Sequence, residues 1–386
     1  MPYFSFAPRH GRFWASIVFV SAFLLTQTVL SCPFCAKFTR SYSDEVRDAD
    51  AVAFGVLESA SNDGTGTTFR IETIVRASDS LPLDKLIHLQ QAVRGAEKHA
   101  ISRLVFLRRE GNSWKAERID KSSPAFAEYL KNAWQVFDES AATRMAFFFK
   151  HLNDRDEKIS ADAYAEFAKA SIRSTIAGSK AYDPAAIREW LIDPNTPGDR
   201  IGLLGLLLGL SGEKGDADFL DRLVIHPSLT QRNGLDGLMG GLLLLDRPRG
   251  EERIVERLTS DKATSLERMS SVAALRFLLS DLTVQDPKPL LRQAVPALQH
   301  SELAGQLIDE MRKAKFWEAL PEVVKLFPQS RDPSAILRFA IECPLPDAKT
   351  FVNQIREKNP ALVRDAQQTL LFEQNARDAQ QDLRVK

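Results

Sequence analysis

The stretch from residue 141 to residue 171, AATRMAFFFKHLNDRDEKISADAYAEFAKAS, is where the apolar period of the chain changes from two to about 3.6. A run of apolar residues is followed by a polar turn with Asn153, Asp154 and Asp156, then by apolar or small residues at Ile159, Ala163, Phe167 and Ala170. Steps of four and three place those last residues on one face of a helix. The stretch therefore predicts a helix, a turn and a second helix. The same order returns in AAIREWLIDPNTPGDRIGLLGLLLGLSG, in ADFLDRLVIH with GLDGLMGGLLLLDR, and in ERIVERLTSD with LERMSSVAALRFLLSD. Weaker copies follow in PLLRQAVPAL with ELAGQLIDEMRKAK and in ALPEVVKLFPQ with PSAILRFAIECP. Helix pairs recurring at roughly 30 to 45 residues predict an α-solenoid over 141–372, because each pair needs a neighbour to bury its apolar face.

The turns, in which an Asp-bearing segment precedes an Arg- or Ala-rich second helix, resemble HEAT repeats. That resemblance implies an architecture and no activity. IGLLGLLLGL is expected to be the buried second helix of a pair, since Gly212 and the charged EKGDAD end it well short of a bilayer span. Gly202, Gly205 and Gly209, and the glycines of GLDGLMGG, are expected to let helices approach closely. The polar segment 373–386 is expected to be a fraying helix or tail.

Towards the N-terminus, the region 32–121 holds five short runs bounded by Asp, Asn, Gly or Ser. They are ADAVAFGVLESA, TTFRIETIVRAS with apolar positions Phe69, Ile71, Ile74 and Val75, DKLIHLQQ, ISRLVFLRREG and NSWKAERI. Such runs predict a small all-β barrel or sandwich. TRSYSDEVRDAD predicts a short acidic-capped helix before them, and AEYLKNAW a linking helix within 122–140. The order of CxxC, DADAVAFGVL, TTFRIETIVRA, LIHLQQ and SRLVFLRREGNSW resembles the netrin and metalloproteinase-inhibitor (TIMP-like) domain of secreted proteins. That resemblance implies an OB-like β-barrel, and the expected class is α+β multidomain, a small barrel followed by a solenoid of HEAT-like helix pairs. True inhibitors offer the amine and carbonyl of a mature N-terminal cysteine, in a CxC motif, to the protease zinc. This chain has one more residue in Cys32-Pro-Phe-Cys35 and no further cysteines to tie the N-terminus onto the barrel, so the inhibitory mechanism is not carried over.

Residues 1–31 read as a secretory signal: Arg9, His10 and Arg12, then the uncharged ASIVFVSAFLLTQTVLSC with small residues at its end. The mature chain is expected to start near Cys32, in an extracytoplasmic location: periplasmic, cell-surface or secreted. An uncleaved anchor is the alternative reading, and VLSC also approximates a bacterial lipobox.

Cys32 and Cys35 are candidates for a local disulfide or, at Cys32, a lipid anchor. A thiol–disulfide exchange site is the enzymatic alternative, although a redox CxxC is expected between a buried strand and a long helix. No metal site is expected, because a closed zinc centre takes four ligands and no second CxxC or paired histidines follow. Cys343, in FAIECPLP, is expected to be a buried thiol. The six histidines are isolated, and neither G-x-S-x-G nor H-E-x-x-H occurs. Asp154, Asp156, Asp193 and Asp281 are expected to cap helices. With 51 basic and 51 acidic residues there is no electrostatic reason to expect nucleic acid. The expected function is a non-catalytic interaction or scaffold protein with no cofactor, binding a protein or cell-envelope partner. Membrane contact is expected only through an N-terminal anchor or lipid. The alternatives are a thiol–disulfide oxidoreductase and a TIMP-like inhibitor.

Overall fold

The computed structural model describes residues 32–35, 40–60, 66–76, 81, 86–89, 102–111 and 113–385. The signal-like segment 1–31 lies outside the described residues, as do His10 and His99.

All five expected runs form strands: β1 (Ala51–Ala60), β2 (Thr67–Arg76), β3 (Leu86–Leu89), β4 (Ser102–Glu110) and β5 (Ser113–Lys121). They close into a barrel in the order β1-β2-β3-β5-β4. β1 is antiparallel to both β2 and β4, and β3 meets β5 in parallel, Leu89 facing Trp114. Gly111 (φ +63°) turns β4 into β5, a conformation that favours glycine.

β1 and β4 read as nearly continuous apolar runs because both of their faces are buried. Ala51, Ala53, Val105 and Leu107 point into the barrel with Phe69, Ile71 and Trp114. Val52, Phe54, Leu104 and Phe106 face outward into a second core that includes Val46 and Phe126. Strict alternation would put Val75 inside with Phe69 and Ile71. Register shifts in the β1–β2 ladder, after Val52 and after Phe54, turn it to the outer core instead.

The helices are α1 (Tyr42–Asp48), α2 (Pro124–Gln135), α3 (Ala141–Lys150), α4 (Glu157–Lys169), α5 (Ile172–Ala177), α6 (Pro184–Ile192), α7 (Ile201–Ser211), α8 (Lys214–Ile225) and α9 (Leu235–Leu245). They continue as α10 (Arg247–Thr259), α11 (Ser265–Asp281), α12 (Lys288–Ala294), α13 (Ala304–Lys313), α14 (Leu320–Lys325), α15 (Pro333–Glu342), α16 (Pro346–Lys358) and α17 (Pro360–Val385). Their starts follow the sequence signals. Ser41 and Asp44 form a capping box on α1, Asp156 caps α4, and Thr264 and Glu267 box the start of α11. Asp193 is the C-cap residue of α6 and its carboxylate accepts the Asn195 N–H, whereas Asp154 accepts the turn N–H of Asp156 and Asp281 is the last residue of α11. The polar segment after 372 continues α17 as helix through Val385.

α7 is apolar around its whole circumference and is correspondingly buried on all sides. It lies against α9 so closely that a Cβ on Gly205 would stand 2.7 Å from the Gly237 backbone. α9 packs on α11, α11 on α13, α13 on α15 and α15 on α17, while α8, α10 and α16 fill positions beside this row. Ion pairs join successive helix pairs at recurrent separations: Asp221 with Arg253, 32 positions on; Arg276 with Glu310, 34 on; and Arg312 with Glu342, 30 on.

Candidate functional site

Cys32 and Cys35 form a disulfide, with Cα atoms 5.4 Å apart. The Cys35 N–H donates to the Cys32 carbonyl at 3.4 Å, and the Cys32 N–H to Ala168 of α4 at 3.2 Å. Between the two cysteines, Phe34 is driven into the helical region. Its ring meets Phe277 of α11 edge-on, centroids 4.9 Å apart. Gly240 faces the same ring and has room for no Cβ, while a Cβ on Gly202 would stand 2.7 Å from the Phe34 carbonyl oxygen. The CPFC loop is thus a peg that fixes the start of the described chain between α4, α7, α9 and α11. Cys32 is buried and Cys35 only partly so.

A cleft of about 340 Å³ opens beside the peg, lined by Pro33, Phe34, Cys35, Asp199, Asn233 and Asp236. Asp236, near the start of α9, accepts its neighbour Gly237 N–H at 2.9 Å. Among the described residues no cation pairs with it, and burial pushes its carboxyl up to about 6. A wider cleft of about 600 Å³ shares Asp199 with the first and adds Tyr42, Asn153, Asp154, Lys158 and Arg200 among its walls.

A polar cluster ties α1 to α2 and α4. Ser43 donates its N–H and its hydroxyl to Asp162 at 3.0 and 2.6 Å, and the Tyr129 hydroxyl donates to the same carboxylate at 2.9 Å. Lys169 reaches Ser41 at 2.8 Å, Asp44 at 2.5 Å and Glu166 at 2.6 Å. Burial raises Asp162 and Glu166 above the usual carboxylate range despite these bonds. At Asp44 burial pulls the same way, but the Lys169 and Ser41 bonds outweigh it and hold the carboxyl low. Sequence reading missed this cluster. Its signal was there: Asp162 and Glu166 each immediately precede a core residue, Ala163 and Phe167, on the buried side of α4.

The turns within the helix pairs lie along one edge of the array. Gln231 donates to the Leu191 carbonyl at 3.0 Å, Arg257 to the Ile225 carbonyl at 2.9 Å and to Glu267 at 3.1 Å, and Arg268 pairs with Glu302. Along that edge Ile192, Ile225, Leu229, Leu266 and Met269 are exposed, Leu229 at 83%.

Cys343 is a free, buried thiol whose pKa burial raises, as its apolar surroundings imply. Among the described residues no cluster of three or more His, Cys, Asp or Glu side chains is arranged for a metal ion. No helix among them is long and apolar enough to cross a membrane. No protein-family model, curated protein or solved structure matches the chain.

Proposed function

We propose that this chain is a non-catalytic extracytoplasmic interaction protein, an OB-like barrel clamped onto a HEAT-like α-solenoid that binds a protein partner along its turn edge. The observation that carries the reading is the exposure of Ile192, Ile225, Leu229, Leu266 and Met269 at or near the turns of successive helix pairs. Large apolar side chains left exposed on the turns of a packed helical scaffold favour protein association. The barrel's strand order, with β3 parallel to β5, supports the OB-like part. The succession from α7 through α17 and the ion pairs spaced about thirty residues apart support the solenoid part.

A metalloproteinase-inhibitor reading has less support, since it needs the Cys32 amine and carbonyl free. Here the Cys32 N–H donates to Ala168 and its carbonyl accepts from Cys35.

The test is photo-crosslinking in the native host from Leu229 and Met269, with Lys349 of α16 as the control position. A discrete adduct from both edge positions, absent at Lys349 and lost in Leu229→Asp/Met269→Glu, is expected. Equal labelling at all three overturns the surface. Intact mass of the native mature protein tests the location: a chain beginning at Cys32 with its disulfide supports export, and retention of residues 1–31 refutes cleavage.

A further inference from the structure

We propose that the acidic cleft beside the CPFC peg is a thiol–disulfide exchange site that admits neutral or cationic thiols, takes the attack at Cys35 and releases Cys32. The inference does not depend on the partner-binding reading.

Direction follows from access. Cys35 lines the open cleft and is only partly buried, whereas Cys32 is buried and hydrogen-bonded to α4, which favours attack at Cys35. Exchange needs in-line approach to the attacked sulfur and departure of the other as thiolate. In the first step the incoming thiolate forms a bond to Cys35 Sγ, the Cys32–Cys35 bond breaks, and the electron pair leaves on Cys32, which then takes a proton. The second thiol of a dithiol reagent attacks its own sulfur in the mixed disulfide, and Cys35 leaves as thiolate. Two electrons pass from the dithiol to the pair, giving one reagent disulfide and two protein thiols.

Selectivity follows from charge. Asp199 and Asp236 line the same walls as Cys35, and among the described residues no basic side chain does. Two carboxylates lining this cleft repel an anionic thiol and attract a cationic one, an effect that added salt screens. The consequence of reduction also follows from geometry. Without the covalent loop, Phe34 is held in its slot only by packing on Phe277 and the Gly240 face.

The experiment uses the oxidised full-length mature protein and an oxidised Cys-Pro-Phe-Cys peptide as reference. Each is reduced with cysteamine and with 3-mercaptopropionate, and the early mixed disulfide is acid-quenched, alkylated and mapped. The adduct is expected on Cys35 with Cys32 alkylated. The cysteamine-to-mercaptopropionate rate ratio is expected to exceed the peptide's by about threefold or more, and the excess to fall in salt. The exposed Asp199→Asn substitution is expected to remove part of that excess and Asp199→Asn/Asp236→Asn nearly all of it. An adduct on Cys32, or a ratio equal to the peptide's in the unaltered protein, overturns the proposal. The rate ratio of the single Asp199→Asn variant decides the charge argument if the double variant does not fold.

Discussion

Ser43 and Asp162 are 119 positions apart, yet they share two hydrogen bonds, from the Ser43 N–H at 3.0 Å and its hydroxyl at 2.6 Å. That pairing closes α1, which leads into the barrel, onto α4 of the helical region. Asp162→Ala would leave three buried donors without an acceptor, the two on Ser43 and the Tyr129 hydroxyl. Each such orphan costs about 1–3 kcal/mol, and relaxation admits some water, so a total loss of about 3–4 kcal/mol is expected. Tyr129→Phe removes a single donor and is expected to cost about 1 kcal/mol. Urea unfolding followed by circular dichroism checks both, and equal effects would refute the shared-acceptor account.

Asp236 gives the fold a pH dependence with a defined sign. Its ordinary carboxyl value is 3.8, and burial beside Phe34, Cys35 and Asn233 pushes it up to about 6. The folded state therefore holds this proton more tightly than the unfolded chain. The contribution is fully present below the unfolded value and is lost as pH rises through about 6. Two units correspond to about 3 kcal/mol at most, reduced because the side chain is only partly buried. Asp236→Asn keeps an oxygen for the Gly237 N–H and removes the titration. Its thermal midpoint is expected to equal that of the unaltered protein near pH 4 and to exceed it at pH 7.5. Parallel curves across that interval would contradict the assignment.

Much of the fold was legible because it is local. The five strands announced themselves through turn residues and apolar alternation, and the helix pairs through their period and through caps such as Asp156 and Thr264. The candidate site was legible only at Cys32 and Cys35, where the spacing is a sign in itself. Asp236 and Asp162 were not, because a carboxylate on a helix looks the same in sequence whether solvent or another element faces it. What decides is the approach of Phe34 or Ser43 from a distant part of the chain. The outward turn of Val75 escaped for a related reason, since a register shift belongs to the pairing of two strands.

Arg312 is only 1% exposed and holds together the far end of the array, contacting Asp309 of its own helix, Glu342 of α15 and Glu373 of α17. Removing this cation leaves Glu342 without its ion-pair partner while Arg338 still reaches Asp309 and Glu373, and losing the charged hydrogen bonds of one buried guanidinium costs about 1–3 kcal/mol. Arg312→Met is therefore expected to loosen α17 before the rest. Limited proteolysis should show a new cleavage beyond residue 360 while the barrel and α3–α11 stay protected. Arg338 also touches Asp309 and Glu373 and keeps them paired when Arg312 is lost, so Arg338→Met in that background is expected to add more to the loosening than its own single effect. Cleavage distributed over the whole chain would place the cluster's role elsewhere.

Phe34 and Gly240 should be coupled through the space that the Phe34 ring occupies against Gly240. Phe34→Ala empties a slot between α7, α9 and α11 and is expected to cost about 3–5 kcal/mol. Gly240→Ala alone drives a methyl into the Phe34 ring, at about 1–3 kcal/mol for overpacking. In the double variant the added methyl enters space the ring has vacated, so the two losses should sum to more than is observed. A coupling of about 1 kcal/mol or more in favour of the pair is expected from thermal unfolding of the four proteins in the cycle. Gly237→Ala serves as the control, because its Cβ would meet the Gly202 backbone, which no side-chain truncation relieves. Additive losses at Phe34 and Gly240, or equal rescue at Gly237, would mean that the peg does not occupy that slot in solution.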